Sequence, residues 1–210
     1  SILDKNLTWV SNESDNYALE EALQIKESQG GEVVVFTFGD ESSKQVLKDA
    51  MAKGADRAIF MSDDDINSLD ILSIAKLITA NIKNENFDLI LSGLQSDDQG
   101  NSQLGVLLAE LLNISHASLV METEIIDKAT IRVKKELENG WFQWVTLTLP
   151  SSISIQSGIN SPRYATLKGI MTVKNKTVDE LNTSSIDRDE IINNISIKKM
   201  YLPVKSKETK

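Results

Sequence analysis

The sequence predicts an α/β fold, a doubly wound and mainly parallel sheet, from three observations. Helix-like and strand-like segments alternate through the first half of the 210 residues. The strand-like segments are continuous apolar runs, which are typical of parallel strands buried on both faces. Glycines stand where two of the helices end, as left-handed stops require. Such alternation forms right-handed βαβ units with helices on both faces of the sheet.

The first predicted helix covers residues 17–28. Leu19, Ala22 and Leu23 share one face at helical spacing. We expect the charged side chains of this helix to lie elsewhere on its surface: these are Glu20, Glu21 and Lys26. Gly30 and Gly31 follow directly and end the helix.

The next elements continue the alternation. Residues 32–38 predict a buried strand, since they contain a β-branched and aromatic run. Ser42 or Ser43 is the expected cap of the second helix, and Gly54 is its stop. The series is completed by a strand over 58–61, a helix over 68–84, a strand over 89–91 and a helix over 104–112.

A different pattern follows in the second half. Residues 130–135 and 141–149 alternate apolar and polar side chains, and Asn139-Gly140 between them is a strong hairpin-turn signal. We therefore expect an antiparallel hairpin appended to the parallel sheet. Aromatic residues in this hairpin, Trp141 and Trp144, suit core or interface packing. After Thr177 the chain becomes polar, which predicts an extension that is extended or ordered only on a partner.

Composition excludes several classes of function. A net charge of −9 repels phosphate backbones and anionic lipid, so neither nucleic acid nor membrane insertion is expected. The absence of cysteine excludes disulfides, thiolate nucleophiles and cysteine-held metals. No apolar run approaches membrane-spanning length, and an unexported protein is expected. Because the sequence starts at Ser1 rather than at methionine, a fragment or a processed chain is expected.

The most informative segment is the loop over residues 92–105, rich in Gly, Asp, Gln and Ser. It joins the end of a predicted buried strand to the start of a helix, which is where open α/β sheets bind ligands. Free backbone N–H groups and the positive end of the helix dipole favour an anion there. The loop matches neither the dinucleotide-binding glycine fingerprint nor the Walker A motif. A polar connection with capping residues remains an alternative.

Four stretches in order resemble the beta subunits of electron transfer flavoproteins. They are Asn12 with Ala18-Leu19-Glu20-Glu21-Ala22; Ala52-Lys53-Gly54-Ala55-Asp56-Arg57; the loop from Gly93 to Gly105; and Asn160-Ser161-Pro162-Arg163-Tyr164-Ala165-Thr166-Leu167 followed by Ile170-Met171. With the hairpin around Glu136, the likeness covers most of residues 10–176. It implies a Rossmann-like sheet of the adenine nucleotide α-hydrolase type.

The resemblance also implies a heterodimer with divided cofactors. An alpha subunit would hold most of the redox FAD, while this chain would bury AMP as a structural element without catalysing a reaction. The residues implied as AMP contacts are Asn12, Asp15, Ser43, Gln95, Ser96, Asp98, Gln99, Asn101, Ser102, Gln103 and Gly105. Residues 1–155 would be the nucleotide-binding domain, 156–176 a partner-recognition segment and 177–210 a polar extension.

The recognition segment would bind flavin dehydrogenases of the acyl-CoA or amine type, with Leu167 as its anchor. The residues implied in partner binding are Glu136, Arg163, Tyr164, Leu167, Ile170 and Met171. Electrons would pass on to an electron transfer flavoprotein–quinone oxidoreductase. The resemblance places such a protein in the bacterial or archaeal cytoplasm, or in the mitochondrial matrix.

The chain departs from the family pattern in the loop and at the first helix. Leu104 replaces a common threonine, Glu13 a proline and Ser14 an aromatic residue near the flavin. The family's first strand and its last helix are not recognisable. Two alternatives stay open: an electron-bifurcating component that binds a second FAD instead of AMP, and a stand-alone sensor of adenine nucleotides.

Overall fold

The computed structural model describes residues 9–63, 66–183, 191–199 and 201. Its helices are α1 (Glu13–Gln29), α2 (Lys44–Lys53), α3 (Ile71–Ile82), α4 (Leu104–Leu112) and α5 (Leu167–Thr172). Its strands are β1 (Val34–Gly39), β2 (Arg57–Ser62), β3 (Leu89–Gly93), β4 (Ser115–Asp127), β5 (Thr130–Glu136), β6 (Phe142–Thr148), β7 (Ser151–Ile155) and β8 (Val178–Asn182). The start of the chain and half of the predicted 177–210 extension lie outside the described residues.

The strands form two sheets rather than the single sheet that was expected. One sheet has the order β1-β2-β8 and is wholly parallel; the other has the order β3-β7-β4-β5-β6 and is mixed. Among the described residues no hydrogen bond joins the two sheets, so β1 and β3 are edge strands. Both are only partly buried, whereas β7, which has a partner strand on each side, is buried throughout.

Helices cover both faces of each sheet. Leu89 and Leu91 pack towards α1, while Ile90, on the opposite face of β3, packs towards α3 and α4. In the three-stranded sheet, Phe60 belongs to the core under α2, and its neighbour Met61 belongs to the core with α3. The chain is therefore an α/β protein, as the alternation of segments predicted.

Helix α1 contradicts one expectation. Glu20 and Glu21 are 5% and 8% exposed, although they were expected on the surface. Both carboxylates are stabilised by polar groups that precede α5: Arg163 bonds to Glu20, and Asn160 to Glu21. Buried charges persist only where such partners satisfy them.

Most local signals of the first half are confirmed. Gly54 has φ of 137° and donates its N–H to Ala50 and Met51, which ends α2. Ser43 occupies the expected cap position of α2, but its side chain makes no capping hydrogen bond. The carboxylate of Asp40 instead accepts from the Ser43 N–H and caps the short 3-10 turn Glu41–Ser43 that leads into the helix. Asp70 caps α3 in the same manner, so that helix begins later than predicted.

The predicted hairpin is confirmed. Strands β5 and β6 pair antiparallel, and Asn139 and Gly140 both have positive φ in the turn. The two tryptophans are exposed rather than in the core: Trp141 lies at the turn, and Trp144 stacks under Arg132 on the outer face of the sheet.

The polar region after Thr177 contributes a strand that was not predicted. Strand β8 adds parallel to β2, and Leu181 packs with the core between β1, α3 and α4. Its alternation of charged and apolar residues is weak, and its conformation depends on pairing with a strand far away in sequence.

Candidate functional site

Asn12 connects the start of α1 to the predicted nucleotide-binding loop. Its Nδ2 donates to the backbone oxygen of Gln95 at 2.9 Å, and its Oδ1 accepts from the Asp97 N–H at 3.0 Å. One amide side chain thus fixes the loop on both sides of Ser96. The starts of α1 and of the 93–105 loop are held together at the carboxyl end of β3.

Ser14 and Asp15 complete this connection. The Ser14 hydroxyl donates to Gln95 O at 2.7 Å, and Asp15 accepts from the Gly93 N–H at 2.6 Å. Gly93 has to be glycine here, because a Cβ would collide with the Ser14 hydroxyl and lie 2.7 Å from the Asp15 nitrogen. Ser14, which stands where the family has an aromatic residue, is buried and bonds directly to the loop.

The middle of the loop is ordered by its own polar groups. Ser96 Oγ accepts from the N–H groups of Gln99 and Gly100, each at 3.3 Å. Ser102 donates to the Gln95 side chain at 2.8 Å. Other bonds within the loop join Asp98 to the Gln99 N–H and Asn101 to the Gln99 side chain. These hydrogen bonds within the loop define its conformation.

The loop ends at the start of α4. Gln103 occupies the cap position, and its side chain makes no capping hydrogen bond. The first-turn N–H groups of a helix have no partner within the helix, so here they remain available to an acceptor. Gly105 is buried in this turn, where a Cβ would collide with the Ser154 hydroxyl and lie 3.0 Å from that of Ser92.

Ser43 lies at the end of the other sheet. Its hydroxyl donates to Asp40 O at 2.7 Å, inside the turn that follows β1. The Trp9 indole donates to the neighbouring Ser42, and Asn12 binds Gln95, so residues 9–12 run between the ends of β1 and β3. Three Cα steps span at most about 11 Å. Ser43 and the 93–105 loop therefore lie at neighbouring ends of the two sheets, with residues 9–12 running between them.

The region between the ends of β1 and β3 has an unusual charge balance. Neither residues 9–15 nor the 93–105 loop contains lysine or arginine, whereas both bring carboxylates: Glu13, Asp15, Asp97 and Asp98. Asp15 is engaged by the Gly93 N–H. An anion bound here would depend on backbone N–H groups, hydroxyls and side-chain amides. Among the described residues no cluster of His, Asp or Glu suits a metal ion.

Arg163 fixes the predicted recognition segment to α1. Its guanidinium binds both oxygens of Glu20, at 2.8 and 3.0 Å, and it reaches Glu27 as well. Burial alone would raise the pKa of Glu20, but the hydrogen bonds from Arg163 and Gln24 outweigh it and hold that pKa below its ordinary value. The same carboxylates, Glu20 first, raise the pKa of Arg163.

A second polar cluster supports the same segment. Asn160 Nδ2 donates to Glu21 at 3.0 Å and to the Tyr17 carbonyl at 3.1 Å. Glu21 also accepts from Thr123 of β4. Gln156 donates to Glu136 at 3.0 Å, which places Glu136 beside the start of the segment. The sequence pattern did not predict that Glu20 and Glu21 hold this segment in place, because their partners lie more than a hundred residues away in sequence.

Helix α5 presents an exposed apolar face. Tyr164 and Leu167 are 92% and 76% exposed, and Ile170 and Met171 are exposed beside them. Leu167 and Ile170, three residues apart, therefore do not pack inward as they would at an ordinary helix start. Thr166 caps the helix by accepting from the Gly169 N–H at 3.0 Å.

Comparison with known proteins identifies the family. A family model described as the electron transfer flavoprotein domain matches residues 1–186. The electron transfer flavoprotein subunit beta of Bacillus subtilis strain 168 is 36% identical over 190 residues, which are 90% of this chain and 73% of that protein. The chain belongs to the family of electron transfer flavoprotein beta subunits. Its resemblance to the family, found in the sequence, is thereby confirmed.

Other electron transfer flavoprotein beta subunits are similarly related. That of Methylophilus methylotrophus is 36% identical over 208 residues, covering 94% of this chain and 78% of that protein. The mitochondrial one of Oryza sativa subsp. japonica is 35% identical over 175 residues, 82% of this chain and 68% of that protein. As a beta subunit of this family, the chain is part of an electron carrier, and its membership of the family implies an alpha-subunit partner. Among its described residues no helix is long and apolar enough to cross a membrane.

Proposed function

We propose that this beta subunit binds AMP as a structural element in the crevice between the ends of β1 and β3, on a Rossmann-like sheet of the adenine nucleotide α-hydrolase type. The observation that carries the proposal is the bonding of Asn12 and Ser14 to Gln95 O. These bonds bring the start of α1 to the loop that leads into α4. Two helix starts facing one crevice favour an anionic ligand.

The phosphate would bind at the start of α4, where no side chain caps the helix. Hydroxyl and amide groups of the loop would bind the ribose and the adenine, with Ser43 on the opposite side. The nearby carboxylates repel a doubly charged phosphate, so its binding depends on these hydrogen-bond donors. Because binding then depends on many hydrogen bonds made at once, we expect the nucleotide to be buried and permanently held, and not to exchange rapidly.

The FAD would be held mainly by the alpha subunit. Ser14 supports this division, because it is buried and already bonded to Gln95 O, and it offers no aromatic surface to an isoalloxazine. The electrons would come from acyl-CoA or amine dehydrogenases and pass to a quinone-linked oxidoreductase. The bacterial and mitochondrial relatives suit either a bacterial cytoplasm or a mitochondrial matrix.

The dehydrogenase would bind the exposed face of α5, formed by Tyr164, Leu167, Ile170 and Met171. A protruding leucine beside an aromatic ring is a typical anchor for a partner's pocket. Arg163 and Asn160 would act as positioning residues, because their hydrogen bonds to α1 hold the segment in place before a partner arrives. Glu136 would act through Gln156.

The decisive experiment is mass spectrometry of the nucleotides released from this chain co-purified with its alpha subunit. We expect one AMP and one FAD per heterodimer. Two FAD per heterodimer would support the electron-bifurcating alternative and overturn AMP binding. A chain that forms a stable homodimer and leaves the alpha subunit flavin-free would overturn the carrier proposal.

Gly93→Ala tests the position of the nucleotide. The added Cβ must push the start of α1 away from the loop, since it would lie 2.7 Å from the Asp15 nitrogen. We expect the AMP content of the heterodimer to fall at least severalfold and the free energy of unfolding to fall by about 1–3 kcal/mol. Glu110→Ala, exposed on α4, is the control. Unchanged AMP content in Gly93→Ala would place the nucleotide elsewhere.

A further inference from the structure

A cavity of about 290 Å³ lies between α1, the end of α2 and the residues that precede α5. Its lining comprises Glu13, Asn16, Tyr17, Lys53, Pro162, Arg163 and Tyr164. Only Tyr164 of these belongs to the exposed face of α5, so the cavity opens next to that face. None of the side chains proposed to hold AMP lines it.

Both cations in the wall are already paired. Lys53 Nζ binds Asp49 at 2.7 Å and Asn16 Oδ1 at 2.9 Å. Arg163 binds Glu20 and Glu27. Neither cation is left to attract an anionic ligand. Counted with Glu13, the carboxylates of this neighbourhood outnumber the cations by four to two.

Glu13 supplies a negative charge without a partner. Its side chain is exposed and, within the described part of the chain, accepts no hydrogen bond and forms no ion pair; only its backbone N–H is engaged, by Asp97. The phenol groups of Tyr17 and Tyr164 likewise make no hydrogen bond there. An unpaired carboxylate and two aromatic rings thus border one small cavity.

These groups fit a cation. The face of an aromatic ring attracts an ammonium or guanidinium group, and an unpaired carboxylate adds a charge-assisted hydrogen bond. The cavity is slightly smaller than the roughly 300–1,000 Å³ of small-molecule sites, which suits one long side chain better than a nucleotide. Its mouth lies beside exposed apolar residues, where a second protein would cover it.

We propose that this cavity receives an arginine or lysine side chain of the protein that binds the exposed face of α5. The guanidinium or ammonium group lies between the rings of Tyr17 and Tyr164 and is hydrogen-bonded by Glu13. The cavity lies next to Leu167, the apolar anchor. A partner therefore binds well only if it has both a pocket for Leu167 and a basic residue at the matching distance from that pocket. This assignment of the basic side chain to a partner protein rests on the proposed binding of a dehydrogenase to the exposed face of α5.

The test uses the assembled heterodimer, with 3-fluorotyrosine incorporated only in this chain. The sequence contains three tyrosines, so ¹⁹F NMR separates the two that line the cavity from Tyr201, the internal control. The probes are Nα-acetyl-arginine amide and its neutral isostere Nα-acetyl-citrulline amide. We expect saturable shifts of Tyr17 and Tyr164 with the arginine probe, and binding at least tenfold weaker for the citrulline probe.

Two variants complete the design. Glu13→Gln is expected to weaken binding of the arginine probe about tenfold, whereas Glu110→Gln, which removes an exposed charge from α4, should leave it unchanged. Equal binding of both probes, or no loss in Glu13→Gln, would overturn the cavity assignment. The nucleotide content of the same heterodimer reports on AMP and FAD separately, so a failed cation site and a failed carrier proposal give different results.

Discussion

Glu20 and Arg163 form the ion pair that ties the residues before α5 to helix α1. The glutamate is almost fully buried, and its two oxygens accept from the guanidinium in a bidentate arrangement. The Arg163 backbone N–H also donates to it, at 3.1 Å. Removal of either member of such a pair destabilises the fold, because the remaining charge stays buried without a partner.

The pH dependence of this pair has a defined sign. The pKa of Glu20 is lowered from its ordinary value of 4.5 in the folded chain. A lowered folded pKa stabilises the fold above the unfolded pKa, and that stability is lost as pH falls below 4.5 and through the folded value. Acidification should therefore release Arg163 and the residues beside it.

Glu20→Gln tests both points. At pH 7 we expect the free energy of unfolding, measured by urea denaturation, to fall by about 2 kcal/mol, because a charged hydrogen-bond partner is lost. The difference from the unaltered chain should shrink as pH falls below 4.5, where Glu20 itself becomes protonated. Glu27→Gln, on the exposed side of Arg163, should change stability far less, because solvent screens an exposed ion pair. A pH-independent difference would refute the assignment.

Single residues differ in how far sequence alone reveals their role. Asn12, Asp15 and Gln95 were predicted from the family resemblance, and the structure brings them together. The burial of Glu20 was not predictable, since a helical pattern records spacing along one element and not a partner 143 residues away. The bond of Ser14 to the loop was not predictable either, because the family has an aromatic residue at this position.

At the scale of elements, α5 depends on its surroundings. A helix of six residues is too short to be stable alone. It is held by the Thr166 cap and by close contact with α2, where the position of a Gly169 Cβ falls against the Ala52 carbonyl. Just beyond it, Lys176 donates to the Met51 and Ala55 carbonyls at 2.8 and 2.6 Å.

Gly169→Ala should detach this helix from α2. The carbonyl of Ala52 is backbone and cannot rotate away, so α5 itself must shift. We expect a loss of about 1–3 kcal/mol in the free energy of unfolding and faster amide exchange over 167–172. Lys168→Ala, at an exposed neighbouring position, should do neither. Unchanged exchange in Gly169→Ala would mean that α5 is not held by this contact.

Elements with strong local signals were predictable, and those created by pairing were not. The four long helices and β1 to β3 follow from apolar spacing and glycine stops, and the β5–β6 turn follows from Asn139-Gly140. Strand β8 has the polar sequence Val-Asp-Glu-Leu-Asn and owes its conformation to the parallel pairing with β2. The division into two sheets likewise depends on long-range pairing.

For the molecule as a whole, α1 is one of the elements shared by both sheets, as α3 is on the opposite side. Its Ala18 packs with Ile153 and Ile155 of the five-stranded sheet. Its Leu23, one turn and a half further on, packs with Leu47, Met51 and Phe60 around the three-stranded sheet. Since no hydrogen bond joins the sheets within the described residues, this packing is one of the contacts that make them unfold together.

Leu23→Ala tests this coupling. Leu23 is 2% exposed, so its truncation leaves a cavity and should lower the free energy of unfolding by about 2–5 kcal/mol. If α1 couples the sheets, native-state amide exchange will show an equal loss of protection in β2 and in β7, although Leu23 contacts only the core around β2. Leu111→Ala, half-exposed on α4, should affect neither strand. A loss confined to β2 would show that the two sheets open independently, and α1 would then be a cover for each of them and not a link.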